Sequence, residues 1–284
     1  MEKIAVVTDT GSNLSFAQAK ELGIYLLPLQ ITIDETTYQD TLEISTQDIY
    51  KELANGKMPK TSMAAYQKIY DLFEELKKEY DTVFAIPLTN GLSTNASTMQ
   101  SIARELEMNV HVIDMYATCA LEKHVAIWIK KLVNEHKSSE EILKIIQPAI
   151  DESNSLILVK NLQHLKRGGR LTPMAATLAG LLKIYPVLHI NKSTKGRIDV
   201  LNKVRTEKRA DAYAIDKIMD DIDIEHTVIY IIHSNFLEGA DHFKKCFIEK
   251  GVPEQNIHID YISSVIAVHT GLGCIAIQYI REEN

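Results

Sequence analysis

Cysteine is scarce in this sequence of 284 residues. The three cysteines present, Cys119, Cys246 and Cys274, form no CxxC pair and have no Cys/His ligand spacing. An odd number of cysteines without such spacing argues against a disulfide framework and against a zinc site. We therefore expect a reducing, cytoplasmic location.

Runs of one charge and long apolar runs are missing as well. The net charge is −7, from 31 basic and 38 acidic residues, and no uninterrupted Lys/Arg block is longer than a pair. This balance argues against a nucleic acid partner. The most apolar long stretch, residues 174–190, is broken by Lys183, Pro186 and His189. It falls short of the ~20 apolar residues that a membrane span needs, so we expect no transmembrane segment. No signal peptide is readable at the N-terminus.

The first half of the chain alternates short apolar strands with helices. Strands are predicted over residues 4–7, 24–33, 82–86 and 110–113, and helices over 15–22, 46–55, 64–79, 93–107, 117–134 and 138–150, with a loop over 58–62. Buried strands separated by helices favour a parallel sheet that is covered on both faces. We therefore predict a Rossmann-like α/β domain over residues 1–152.

The second half has a different pattern. Strands are predicted over residues 156–159, 185–190, 197–204, 228–233, 257–261 and 274–280, with helices over 161–166, 173–182, 206–221 and 237–250. The polar stretch 191–196 ends in glycine and is typical of a hairpin turn, which introduces antiparallel pairing. We predict a mixed α+β domain over residues 153–284.

Asp9 begins the string Asp-Thr-Gly-Ser, which is also found in aspartic proteases. Protease chemistry needs two such carboxylates that share a proton, and this sequence has one copy. Asp9 follows the first predicted strand, and ligands bind at the carboxyl ends of strands in open α/β sheets. The alternative is that Asp9 only orients the turn and caps the next segment.

Two hydroxyl pairs precede predicted helices. Thr61 and Ser62 form the first pair, and Ser93 and Thr94 form the second. Hydroxyls and free N–H groups at a helix N-terminus can bind a carboxylate or phosphate. Simple N-capping is the alternative for each pair.

Two further segments contain groups that can bind an anion. Residues 165–170 place two glycines among basic residues and end at Arg170. A flexible turn of this kind brings backbone N–H groups and a guanidinium near an anion, or it is a solvated basic turn. His269 begins the string His-Thr-Gly-Leu-Gly and is either a hydrogen-bond donor or proton-transfer group, or a structural histidine.

The predicted helix over residues 173–182 is apolar nearly all round. A helix of this kind is buried in a core, or else it lines a cavity such as a lipid tunnel. The apolar side chains Met99, Ile102 and Leu106 line one face of an earlier helix.

Taken in order, several short strings resemble the DegV family over essentially the whole chain. They are VTDT at 7–10, NL at 13–14, PL at 28–29, YQD at 38–40, PKTS at 59–62, LS at 92–93, VID at 112–114, LKRGGR at 165–170, KVR at 203–205 and HTGLG at 269–273. The resemblance implies a two-domain α/β protein that binds one long-chain fatty acid, such as palmitate, stearate or oleate, and no other cofactor. It implies a buried acyl chain and a carboxylate held where the domains meet. It also implies a non-catalytic subunit that presents the acid to a fatty acid kinase.

The resemblance also assigns residues. It makes Thr61 and Ser93 the carboxylate ligands, with Arg170 and His269 as supporting donors and Ser62 and Thr94 beside them. Arg205 is then a contact for the kinase. The sequence departs from the family pattern at residues 92–95, which read Leu-Ser-Thr-Asn where the family has Leu-Ser-Gly-Thr, and at residue 10, where threonine replaces serine.

Two other functions are compatible with the sequence. One is an enzyme that acts on a small carboxylate or phosphate, with His269 as general acid/base and Asp9 as its partner. The other is a regulatory protein that senses lipid and has no kinase partner.

Overall fold

The chain divides into two compact units, which are described separately. The computed structural model describes residues 2–179 and 184–282. Among these residues, the first unit runs to Pro148 and also includes Ser263–Val268, and the second consists of Ala149–Ile262 and the residues from His269 onward. The boundary between the units after Pro148 falls within a helix that spans Ser139–Glu152. The predicted boundary between residues 152 and 153 lies close to it and stays a prediction.

Two sheets are present in the described part of the first unit. Their strands are β1 (Ile4–Asp9), β2 (Tyr25–Leu27), β3 (Gln30–Ile33), β4 (Thr36–Gln39), β5 (Lys60–Ser62), β6 (Thr82–Ile86) and β7 (Val110–Val112). The larger sheet has the order β2-β1-β6-β7, and all of its pairs are parallel. Strands β1 and β6 are buried along their whole length, as expected for the centre of a parallel sheet. The predicted parallel α/β fold is therefore confirmed.

The smaller sheet is antiparallel, with the order β4-β3-β5, and the sequence did not predict it. The single strand predicted over residues 24–33 is wrong. Pro28 has no N–H to donate to a ladder, so the chain leaves the parallel sheet after β2 and enters the antiparallel sheet as β3. The loop predicted over residues 58–62 is also wrong, because β5 pairs with β3. Its residues are polar and largely exposed, so they show none of the apolar alternation that predicts a strand.

Helices surround the sheets of the first unit. They are α1 (Phe16–Leu22), α2 (Thr46–Ala54), α3 (Tyr66–Leu76), α4 (Asn95–Glu105), α5 (Ala120–Asn134) and α6 (Ser139–Glu152). Each matches a predicted helix to within a few residues at either end. Met99 and Ile102 of α4 are fully buried, so the apolar face of this helix packs in the core.

The described part of the second unit contains one six-stranded sheet. Its strands are β8 (Asn154–Leu158), β9 (Tyr185–Ile190), β10 (Asp199–Val204), β11 (Thr227–His233), β12 (Ile257–Tyr261) and β13 (Ile275–Arg281). The order is β10-β9-β8-β13-β11-β12, and only the pair β11–β12 is parallel. The predicted hairpin of β9 and β10 is confirmed, and so is the mixed character of this half.

Helices of the second unit are α7 (Leu162–Arg167), α8 (Pro173–Leu178), α9 (Glu207–Asp221), α10 (Leu237–Glu249) and α11 (Ser264–Thr270), of which α11 begins in the first unit. Apolar side chains of α9 and α10, including Ile218 and Phe247, pack with Ile229 and Ile277 of the sheet.

The predicted apolar helix over residues 173–182 is shorter in the structure. Helix α8 ends at Leu178, and residues 180–183 lie outside the described residues. Ala175 and Leu178 are buried, whereas Met174 is 59% exposed. The described helix is therefore buried on one side rather than all round. Among the described residues, no helix combines the length and the apolar character that a membrane crossing requires.

Candidate functional site

Asp9 ends β1 and organises the turn that follows. Its carboxylate caps the short 3-10 turn Thr10–Ser12 by accepting a hydrogen bond from the N–H of Gly11 at 2.8 Å. It also accepts from the N–H of Leu88 at 2.9 Å and from the amide of Asn95 at 2.6 Å. Asp9 thus joins the ends of β1 and β6 to the start of α4. The capping role predicted for Asp9 is confirmed.

Ser93 and Thr94 lie directly before α4. The hydroxyl of Ser93 accepts from the N–H of Asn95 at 3.2 Å. Thr94 occupies the N-cap position, but its side chain makes no capping hydrogen bond. Of this pair, Ser93 therefore accepts from the first N–H of α4, whereas Thr94 does not cap the helix. At Thr94, where the family pattern has glycine, φ is −87°, a value that any residue adopts, so the turn forms without glycine.

Thr61 and Ser62 lie in the edge strand β5 rather than at a helix N-terminus. Helix α3 has Ala65 at its N-cap, so the predicted capping position of this pair is wrong. The hydroxyl of Ser62 donates to the side-chain oxygen of Gln30 on β3 at 3.0 Å, and Thr61 is half-buried.

Met63 brings the two hydroxyl pairs into one region of the first unit. It follows Ser62, and its sulfur lies 3.5 Å from the hydroxyl of Thr94 and 3.4 Å from that of Thr98. The end of β5 and the start of α4 are therefore neighbours. This is the one part of the predicted ligand set that the first unit contributes.

A buried acid beside Asp9 was missed by the sequence analysis. Burial, followed by the charge of Asp9, raises the pKa of Glu122 well above its usual range. Thr8 donates to Glu122 at 3.1 Å. The raised pKa favours the protonated form of Glu122, which avoids a second negative charge beside Asp9. The available signal was a single acidic residue on the apolar face that Val125, Ala126 and Ile129 define in α5.

Asp40 is a third buried carboxyl in this unit. Ser264 donates a hydrogen bond to it, and burial raises the pKa of Asp40 to about 6. No group of three or more His, Cys, Asp or Glu side chains in the described residues is arranged to hold a metal ion. Because Ser264 is the first residue of α11, its hydrogen bond to Asp40 fixes the start of this helix within the first unit.

In the second unit, Arg170 and His269 both contact Gly168. The guanidinium of Arg170 donates to the carbonyl oxygen of Gly168 at 2.6 Å. A Cβ built on Gly168 would lie 2.9 Å from Nδ1 of His269, so the ring rests on the bare glycine. Burial, followed by the positive charges of Arg170 and His164, lowers the pKa of His269 to about 4. The imidazole is therefore neutral at pH 7, and its neighbour Arg170 supplies the positive charge.

Replacing Gly168 with alanine should displace the His269 ring. The new methyl group would also lie 3.1 Å from the backbone oxygen of Leu165, so overpacking should lower the free energy of unfolding by about 1–3 kcal/mol. The displaced ring should regain a more ordinary pKa in an NMR titration. Gly169→Ala is the control, since no atom lies within 4 Å of its Cβ position and only its φ of +74° is strained. An unchanged His269 pKa in Gly168→Ala would contradict this packing.

The low pKa of His269 predicts a loss of stability in mild acid. Between pH 6.5 and 4 the unfolded chain binds a proton at this residue and the folded chain does not, so the free energy of unfolding falls as the pH falls. The raised pKa of Asp40 acts in the opposite direction below about pH 6. The comparison is therefore made between the native protein and His269→Gln, at pH 7 and pH 5. The native protein should lose about 2 kcal/mol more than the variant, and equal losses would contradict the assigned pKa.

Arg205 lies immediately after β10 on the surface of the second unit. It is exposed, as are Lys203, Lys208 and Arg209 around it. Four exposed cations in one stretch form a basic surface that can contact an acidic partner.

Comparison with known proteins identifies the family. The protein-family model described as "Uncharacterised protein, DegV family" matches residues 3–282 of this chain. A DegV domain-containing protein of Halalkalibacterium halodurans is 32% identical over 289 residues, which cover 100% of both chains.

Solved structures share the fold. The fatty acid binding DegV family protein of Streptococcus agalactiae is 29% identical, with a TM-score of 0.91 and 100% of both chains covered. DegV of Bacillus subtilis, described as a fatty acid binding protein, is 28% identical, with a TM-score of 0.86 over 99% of this chain and 100% of that one. The matched family model and these whole-chain similarities show that the chain belongs to the DegV family.

Proposed function

We propose that this protein binds one long-chain fatty acid and presents its carboxylate to a fatty acid kinase, which forms the acyl phosphate. The observation that carries the proposal is the whole-chain similarity to the Streptococcus agalactiae protein, whose name states that it binds fatty acids. The neighbouring positions of the two hydroxyl pairs around Met63 support it, because they place several hydroxyl groups close together.

In this proposal, Thr61 and Ser93 donate hydrogen bonds to the carboxylate, and Ser62 and Thr94 lie beside them. Hydrogen bonds to a charged group are stronger than neutral ones, so two or three donors offset much of the cost of taking the head group out of water. Arg170 and His269 stay predicted supporting donors. The neutral imidazole has one N–H to donate, and the guanidinium adds a positive charge.

The acyl chain supplies most of the affinity. Each buried CH₂ contributes about 0.8 kcal/mol to the binding free energy. Summed over a long acyl chain, this contribution exceeds the cost of ordering the chain on binding. Preference between saturated, unsaturated and branched chains depends on cavity shape, and one methylene changes the binding free energy by only about 1–3 kcal/mol.

The proposed role is that of a carrier, in which the kinase partner supplies ATP and Mg²⁺. Both oxygens of Asp9 already accept hydrogen bonds from Gly11, Leu88 and Asn95, which gives no support to Asp9 as an acid/base partner of His269. We place the carrier in the cytoplasm because an odd number of cysteines without disulfide or ligand spacing is typical of a reducing compartment.

Binding itself is tested by titrating delipidated protein with oleate and following the intrinsic fluorescence of Trp128 together with calorimetry. The proposal predicts saturation at one fatty acid per chain. Absence of saturable binding for oleate, stearate and palmitate would refute it.

Arg205 is the proposed kinase contact. Arg205→Glu should lower the rate at which the fatty acid kinase of the same organism phosphorylates the bound acid, by roughly tenfold, while fatty acid occupancy stays unchanged. Lys245→Glu is the matched control, since it reverses another exposed cation of the second unit. Equal rates for the two variants would remove Arg205 from the interface. If loaded native protein is not phosphorylated at all, the lipid-sensor alternative without a kinase partner is favoured.

A further inference from the structure

The second unit contains a cavity of about 340 Å³ that neither Arg170 nor His269 lines. It opens between the N-terminal halves of α9 and α10, at the end of β8. Its apolar lining includes Leu158, Ala210, Phe243 and Ile275. The volume is in the range of small-molecule sites, which are usually apolar with a few polar groups that fix the ligand.

One wall of the cavity is the aromatic ring of Phe236. This residue precedes α10, and its ring packs directly onto Gly239. A Cβ built at Gly239 would lie 2.3 Å from a ring carbon, so the ring occupies the space of the missing side chain. The position of Phe236 therefore depends on glycine at 239.

The polar lining is mainly acidic. Glu207 and Asp211 lie four residues apart on α9 and face the same side, and Glu238 of α10 lines the cavity with them. Lys160 and His242 are the basic side chains among its described lining residues. Three carboxylates against Lys160 and His242 leave an excess of acidic side chains, which favours a further cation.

Lys160 shows how the cavity receives an ammonium group. Its Nζ lies 4.8 Å from the centre of the Phe236 ring and forms an ion pair with Glu207. An aromatic face beside a carboxylate is the arrangement that binds organic cations. The protein's own side chain fills this position at the rim of the cavity.

Asp211 has no such counterpart. Its carboxylate is partly buried, and within the described residues it makes no hydrogen bond and no ion pair. Burial raises the pKa of Asp211, while the charges of His242 and Lys160 oppose that effect. A carboxylate that is partly removed from water and makes no direct hydrogen bond or ion pair gains from a cation that a ligand brings into contact with it.

We propose that this cavity binds a small organic ammonium ion with an apolar body. The ammonium group pairs with Asp211, and the apolar part lies on Leu158, Ala210 and Phe243. This site is separate from the fatty acid ligands, so it stands whether or not the proposed function does.

The test is calorimetric titration of the full chain with phenethylammonium, with 3-phenylpropionate as an anion of similar size and shape. We expect saturable binding of the ammonium in the millimolar range or tighter, and none of the anion. Asp211→Asn keeps the side-chain shape and should weaken binding by roughly tenfold or more. Asp220→Asn, which removes an exposed carboxylate from the same helix, should leave binding unchanged.

Gly239→Ala supplies a second test, because it displaces the Phe236 ring and leaves every charge in place. It should weaken ammonium binding while circular dichroism shows a folded protein. The proposal is overturned if the ammonium does not bind the native protein, if the anion binds equally well, or if Asp211→Asn binds as the native protein does.

Discussion

Replacing Ser93 with alanine is expected to weaken fatty acid binding by roughly tenfold to a hundredfold, and Thr61→Ala should do the same. Each hydroxyl donates to a charged carboxylate in the proposed complex, and such a bond contributes about 1.5–3 kcal/mol. The measurement is the dissociation constant of oleate for each single variant and for the double variant. The double variant should lose less than the sum of the two, because both hydroxyls contact one carboxylate.

Ser97→Ala is the matched control for Ser93. Its hydroxyl is exposed on α4, the helix that follows Ser93, and donates to the backbone oxygen of Thr94 at 2.8 Å, so its removal should leave oleate binding unchanged. Ser62→Ala is expected to have a smaller effect than Thr61→Ala, because the Ser62 hydroxyl already donates to Gln30. Unchanged affinity in both Ser93→Ala and Thr61→Ala would remove these residues from the site.

Asp9→Ala is expected to lower the free energy of unfolding by about 3–5 kcal/mol. The carboxylate is fully buried and accepts from Gly11, Leu88 and Asn95, so its removal leaves three buried donors without a partner. Urea unfolding measures the change. Glu74→Ala, which removes an exposed carboxylate of the same unit, should change stability by no more than about 0.5 kcal/mol.

Asp9 also connects stability to the proposed site. Its bond to Asn95 fixes the residue whose N–H donates to the Ser93 hydroxyl. The folded fraction of Asp9→Ala should therefore bind oleate more weakly than the native protein. A variant that is as stable as the native protein would show that Asp9 does not organise this turn.

The fold could be predicted where burial determines the pattern. Strands β1 and β6 are continuous apolar runs, and both were predicted nearly to their ends. Strand β5 was not predicted, because an exposed edge strand of Lys60, Thr61 and Ser62 has no apolar face to give a period of two. The same absence of an apolar pattern explains why Thr61 was predicted at a helix N-terminus instead of in a sheet.

The polar interior was harder to predict than the fold. Asp9 was singled out because it follows a strand, and its capping role is what the structure shows. Glu122 was missed because its partner, Asp9, lies far away in the sequence and no local pattern marks their proximity. The contact of Gly168 with His269 is likewise long-range, and only the family resemblance had linked these segments.

The central claim, that the protein carries one fatty acid, is tested most directly by native mass spectrometry of the purified protein, followed by denaturing extraction and identification of the bound molecule. The account predicts one fatty acid per chain, in the protein as purified or after incubation with oleate. A protein that is empty as purified and also takes up no added fatty acid would contradict it.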